Sequence, residues 1–302
     1  MILPVSAVDL LFEAAASKGN VCVGLDTSAD YVPPAERKRA QSDADAVLAY
    51  NKALIDATFD AAACYKVQIA YYEEMGVSGL CAYRDTLKYI RKKRCVAIAD
   101  IKRGDIADTA RRYAKAHFSG DFEADFVTLN PYMGMDSLEP WVSEAYTRGK
   151  GAFVLLRTSN PGMRDFEYLE LSDGKRLYHA VGEKLAKLAD KYAGKKGYGI
   201  FGAVTGCTER DEAAAIREKY PNLFFLIPGY GAQGGGAEDA VLLLKNGNGG
   251  VVNASRSIIT SWQKETGSEN ADNTFACESA RRAVIKMRDE ILLEISSHKN
   301  IC

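Results

Sequence analysis

Asp100, Lys102 and Asp105 stand within six positions in Asp100-Ile101-Lys102-Arg103-Gly104-Asp105. They follow an apolar run, Cys95 to Ala99, that reads as a short buried strand. Side chains two apart on a strand share a face, so Asp100 and Lys102 point the same way. An ammonium fixed at such a strand end can stabilise negative charge as it develops on a substrate. Asp105 comes three residues later, past Gly104, where the chain can turn into a helix carrying Thr109 and Arg111-Arg112. Alone, the stretch reads equally well as a solvated strand-to-helix turn, so the choice falls to the elements around it.

Short apolar runs recur along the chain. They predict strands near Val21–Leu25, Ala63–Gln68, Cys95–Asp100, Phe126–Asn130, Ala152–Leu156, Ile200–Val204, Leu223–Ile227 and Gly250–Asn253. The stretches between them are long enough for crossover helices, for example Asp45–Ala62, Leu80–Lys93 and Gly182–Tyr192. Strands alternating with helices, without a break in composition, predict a parallel sheet. Eight such units fit an α/β fold of the (β/α)₈ barrel kind, with a doubly wound open sheet as the alternative. Two further helices flank the pattern, an N-terminal one with Val8, Leu11, Phe12 and Ala15 on its apolar face and a C-terminal one with Ala276, Ala280, Val284, Met287 and Ile291. The whole of 1–302 is read as one barrel domain.

In a barrel, strand C-termini converge on one pocket. Asp26 ends the first strand, Lys66 the second, and Asp100 and Lys102 the third. Consecutive strands thus present Asp, Lys, Asp, Lys around the rim, where the charges can compensate one another. A second cluster, Pro228-Gly229-Tyr230-Gly231-Ala232-Gln233-Gly234-Gly235-Gly236, follows the seventh strand and precedes an expected helix over Ala237–Lys245. Glycines let backbone N–H groups approach a phosphate, and a helix N-terminus favours the anion. The pattern is neither GxGxxG nor a Walker A sequence, so it implies neither a dinucleotide nor a triphosphate. Arg256 follows the eighth strand and can grip phosphate oxygens bidentately; loops after the last two strands are the usual phosphate site of a barrel. Ser159, after the fifth strand, is either a reader of a heterocycle edge or a turn serine before Asn-Pro. The connections Thr27–Ser42 and Thr158–Arg176 are longer than packing needs, as loops that close over a ligand are.

Composition narrows the classes. The formal charge is −1, so no global basic field draws the chain to nucleic acid. The run Arg91-Lys92-Lys93-Arg94 sits where a helix should end, which suits cations. Seven cysteines, an odd number with no CxxC, are scattered through the chain, several in apolar runs, and read as reduced thiols of a cytoplasmic protein. The three histidines are too dispersed for a metal-ligand cluster. The N-terminal stretch reads as an amphipathic helix and not a signal peptide, and no apolar run is long enough to span a membrane.

The segment AIADIKRGDIADTA closely resembles the signature of the orotidine 5′-phosphate decarboxylase family. VCVGLDTS, YKVQIAYYEEMG, FVTLNPYMG, VLLRTSNPG, FGAVTGCT, IPGYGAQGG and VNASRS resemble that family's blocks in order, over residues about 20 to 260. The likeness is to its longer bacterial branch, which carries proline after the second-strand lysine where this chain has Val67. The resemblance implies cofactor-free, metal-free conversion of orotidine 5′-phosphate to uridine 5′-phosphate. Lys102 would protonate C6 of the pyrimidine and Asp100 would sit against the departing carboxylate. Lys66 and Asp26 would hold the ribose and complete the charge network. Asp105, Ile106 and Thr109 would reach into the neighbouring subunit's site of a homodimer. Ser159 would contact the pyrimidine, Gln233 would bridge base and phosphate, and Gly234, Gly235 and Arg256 would bind the phosphate. DxKxxD alone is shared with metal-dependent sugar-phosphate decarboxylases and aldolases of the same suprafamily, one rival reading. A non-catalytic barrel that binds a nucleoside monophosphate is the other.

Overall fold

The computed structural model describes residues 4–231, 234–265, 268 and 271–299. Eight parallel strands close into a barrel in sequence order: β1 (Val21–Gly24), β2 (Cys64–Gln68), β3 (Val96–Arg103), β4 (Phe126–Leu129), β5 (Gly151–Arg157), β6 (Phe201–Thr205), β7 (Phe225–Ile227) and β8 (Gly250–Ala254). β8 pairs with β1, so no sheet edge is left open and the doubly wound alternative falls. The barrel interior is packed with side chains, among them Phe126 and Phe153, whose rings stack 4.8 Å apart. Residues of opposite parity, such as Tyr65 and Val67, are buried beneath the surrounding helices. Burial on both faces explains why the strands read as continuous apolar runs.

Local chemistry sets the helix ends. Ser42 caps the helix Asp43–Thr58 by accepting from the Asp45 N–H at 3.2 Å, and Asp43 and Asp45 lie in its positive first turn. The helix Gly76–Lys92 ends on Arg91 and Lys92, as the basic run suggested. That run is spent on ion pairs, Arg91 with Glu123 at 3.0 Å and Lys93 with Asp56 at 2.5 Å. The N-terminal helix Ala7–Lys18 buries Val8, Leu11 and Ala15. The C-terminal helix Asn273–Lys299 buries Ala276, Ala280, Val284, Met287 and Ile291, and Arg281 ties it to Asp60.

Three expectations need correction. The helix expected over Ala237–Lys245 is one α-turn, Ala237–Ala240, followed by a 3₁₀ turn, Val241–Leu243. Leu244 is already extended, because the chain must double back through Asn246 and Gly247, both with positive φ, to enter β8. β3 runs on to Arg103 instead of ending at Asp100. The helix after it starts at Ala107, so Asp105 lies in the connection and not on a helix.

Candidate active site

The strand alternation decides what faces the cavity. On β2, Lys66 and Gln68 point inward, and on β3 Asp100 stands directly beside Gln68. Lys66 Nζ donates to Asp26 Oδ1 at 2.9 Å and to Asp100 Oδ2 at 3.0 Å. Lys102 Nζ donates to Asp100 Oδ1 at 2.7 Å. Gln68 Nε2 adds a bond to Asp100 Oδ2 at 3.0 Å, and Thr128 Oγ1 adds one to Oδ1 at 2.7 Å. Asp26 is held by Ser255 Oγ at 2.9 Å, across the β8–β1 seam. Two carboxylates and two ammonium groups therefore alternate with no net charge, as the sequence order of the four residues suggested.

Lys66 and Asp100 are both buried. Burial alone would push the Lys66 ammonium towards neutrality, yet Asp100 and then Asp26 hold its pKa well above the usual lysine range. Burial likewise opposes ionisation of Asp100, but Lys66 and then Lys102 keep its pKa well below the usual carboxylate range. Neither group therefore changes charge between about pH 5 and 9. The Lys102 side chain is 46% exposed and lines the cavity, within reach of a ligand.

The network forms one wall of a cavity of about 440 Å³. Asp26, Lys66, Asp100, Lys102, Ser159 and Arg256, all singled out from sequence, line it. Gly234 and Gly235 do not line it. Their N–H groups donate to Gly231 and Gly229 carbonyls at 3.0 and 3.1 Å, because the glycine-rich loop folds back on itself through a Tyr230–Gly235 bridge. Gln233 lies outside the described residues. Asp105, Ile106 and Thr109 do not line this cavity, and Ile106 and Thr109 are exposed.

Sequence reasoning passed over Gln68, Thr128, Tyr31 and Tyr71, which also line the cavity. Gln68 had a signal, since it lies two residues from Lys66 on the same strand. Thr128 had one too, as the single hydroxyl in the apolar run Phe126–Leu129. Tyr31 had only the length of the connection Thr27–Ser42 that carries it, and Tyr71, on the short helix Ala70–Glu73, had none.

The cavity offers a ligand a fixed acid–amine array and, just after β8, a guanidinium, on the face where barrel enzymes bind phosphorylated small molecules. Comparison with known proteins sharpens that class. The model of the family described as "Orotidine 5'-phosphate decarboxylase / HUMPS family" matches residues 19–270, and the chain belongs to that family. It is 53% identical over 285 residues to the orotidine 5′-phosphate decarboxylase of Clostridium novyi (strain NT), covering 94% of this chain and 98% of that one. Among solved structures it resembles Leishmania donovani OMP decarboxylase, at 31% identity and a TM-score of 0.70, over 93% of this chain and 99% of that one. It also resembles Leishmania donovani UMP synthase, at 33% identity and a TM-score of 0.73, over 93% of this chain; it spans 57% of that longer chain.

Proposed function

We propose that this chain decarboxylates orotidine 5′-phosphate to uridine 5′-phosphate, the last step of de novo pyrimidine synthesis, without a cofactor. The observation that carries the reading is the Lys66–Asp100–Lys102 array at 3.0 and 2.7 Å in a chain so similar to curated decarboxylases. Loss of CO₂ from C6 leaves a carbanion with no neighbouring sink, and the barrier must fall by about 20 kcal/mol. The Lys102 ammonium, already oriented, stabilises that charge and delivers the proton to C6. Asp100 faces the substrate carboxylate. Two like charges about 4 Å apart cost about 4 kcal/mol at an effective dielectric near 20, a cost relieved as CO₂ leaves. Lys66 and Asp26 hold the ribose, Ser159 the base and Arg256 the phosphate; Gln233 bridges base and phosphate, and Gly234 and Gly235 join the phosphate once their N–H groups leave the Gly231 and Gly229 carbonyls. Phosphate binding, remote from C6, supplies energy that holds the loops in place.

The metal-dependent rival is poorly served, since Lys66 Nζ fills the space between Asp26 and Asp100 where a cation would bridge them. The non-catalytic rival gives no reason for an open ammonium beside a buried carboxylate. The assay is the loss of orotidine 5′-phosphate absorbance in the ultraviolet, run with and without a chelator. Turnover that survives chelation bears out the reading. Turnover abolished by chelation points to the metal enzyme, and nucleotide binding without turnover to the sensor.

We further read the whole chain, 1–302, as one domain working as a cytoplasmic homodimer with shared active sites. Supporting this, Cys22, Cys64, Cys81, Cys95, Cys207 and Cys277 are free thiols, and no described helix is long and apolar enough to cross a membrane. Exposed Ile106, Tyr132 and Met133 crowd the connections after β3 and β4, which the Asn130 N–H to Arg103 carbonyl bond keeps side by side. Asp105, Ile106 and Thr109 would then complete the partner's site. Mixing inactive Lys102→Ala and Asp105→Ala chains under subunit exchange should restore activity to about a quarter of all sites, since one site of each mixed dimer carries neither lesion. No recovery, with exchange confirmed, would place Asp105 in its own chain's pocket.

A further inference from the structure

We propose that Thr128 is a positioning residue for Lys102: its hydroxyl holds the strained backbone that aims the ammonium at Asp100. The inference rests on reading Lys102 as the reacting amine. Lys102 has φ +44°, in the left-handed region that side chains with a Cβ rarely adopt. The cause lies in the β3–β4 pairing. Ala99 pairs with Val127 and Arg103 with Leu129, so three residues of β3 lie opposite the single residue Thr128. Such a bulge re-aims a side chain but leaves backbone donors without ladder partners.

Thr128 is the residue that meets those donors. Its Oγ1 accepts from the Ile101 N–H at 3.0 Å and from the Lys102 N–H at 2.9 Å. The same oxygen donates to Asp100 Oδ1 at 2.7 Å. A hydroxyl has one proton to give and two lone pairs, so all its capacity is used. Thr128 is 1% exposed, and water has no easy route to replace it. One side chain thereby fixes three consecutive residues of β3: the carboxylate of Asp100, the amide of Ile101 and the amide of Lys102. The Lys102 side chain itself is about half exposed, so its direction is set from the backbone and from Asp100, both of which Thr128 holds.

Thr128→Val keeps the shape and removes the hydroxyl; Thr128→Ser keeps the hydroxyl. The expected result for Thr128→Val is a fall in kcat of at least about 100-fold, the scale of an ångström-sized misplacement. Its Kd for uridine 5′-phosphate should stay within about threefold, because phosphate and base contacts lie elsewhere. Thr128→Ser should return kcat to within about tenfold of the parent. Amide hydrogen exchange should accelerate at Ile101 and Lys102 in Thr128→Val and not in Thr128→Ser. The exchange measurement needs no turnover, so it tests the hydroxyl's hold on the bulge even if the parent chain does not decarboxylate. Absent parent turnover would refute the functional reading, while unchanged exchange would refute the positioning role. A Thr128→Val chain with undiminished kcat would overturn the proposal. So would equal losses in kcat and affinity, or a serine variant as impaired as the valine one. Should Thr128→Val not fold, as judged by circular dichroism, Thr128→Ala is read in its place. If neither folds, Thr128 serves fold stability and the proposal fails.

Discussion

At one end of the cavity Asp100 is buried and accepts bonds from Lys66, Gln68, Thr128 and Lys102. On the part of the lining that follows β8, Arg256 is exposed, and its guanidinium has no carboxylate partner among the described residues. The first end stands on strands whose register is locked by the barrel. The second stands on the short helix Arg256–Ile259 and on a glycine-rich loop whose Gly234 and Gly235 N–H groups bond to the loop itself. Under the proposed function the difference matches two tasks. A group that must meet a reacting carbon gains from being fixed before the ligand arrives. A group that must release a phosphorylated product gains from being able to move.

The contrast can be broken most severely at Lys102. Lys102→Ala should lower kcat by many orders of magnitude while uridine 5′-phosphate still binds, as titration calorimetry would show. Activity within tenfold of the parent would mean the fixed end does no chemistry.

Next comes the buried pair. Lys66→Met leaves Asp100 without its principal counter-charge and should destabilise the fold by about 3–5 kcal/mol at pH 7, measured by urea unfolding. The pH dependence has a definite sign. A carboxyl whose pKa is depressed by folding contributes stability above its unfolded value, near 3.9, and loses it as pH falls through the folded value. Removing Lys66 raises the folded pKa of Asp100, so the deficit should be greatest at neutral pH and shrink as the medium is acidified. A deficit that does not vary with pH would show that Asp100 is not the group Lys66 supports.

At the adaptable end, Arg256→Ala should cost about 1.5–3 kcal/mol of nucleotide binding, seen as a raised KM of roughly 10- to 150-fold. Slow turnover of a substrate lacking the phosphate should be almost untouched. Equal losses with both substrates would separate Arg256 from the phosphate. The smallest effect is expected at the contact between the glycine-rich loop and the C-terminal helix. There Tyr230 Oη donates to Glu290 Oε2 at 2.5 Å. Tyr230→Phe should cost about 1 kcal/mol, a several-fold change in kcat/KM carried by KM. A change confined to kcat would instead tie Tyr230 to the fixed end.

Much of this molecule was legible in sequence because its signals are local. Eight apolar runs located the strands to within a few residues, and counting assigned Asp26, Lys66, Asp100 and Lys102 to the first three, although β1 stops at Gly24, β2 runs on to Gln68 and β3 to Arg103. The helix expected over Ala237–Lys245 was misjudged for a physical reason: Val241, Leu243 and Leu244 are apolar because they are buried in the core, not because they continue a helix.

The sequence by itself determined which residue types occupy each strand and each rim position, since side-chain alternation depends only on neighbours along the chain. Whether those residues meet was decided by closure of the barrel, which brings Ser255 of the last unit to Asp26 of the first. The β3 bulge was decided there too. Ala99 and Arg103 pair with residues only two apart on β4, and that offset exists only once the two strands lie side by side. The left-handed turn at Lys102, and the threonine hydroxyl beneath it, are consequences of that pairing. No pattern of residues along one strand encodes them, because the backbone groups involved are satisfied by a side chain more than twenty-five residues away.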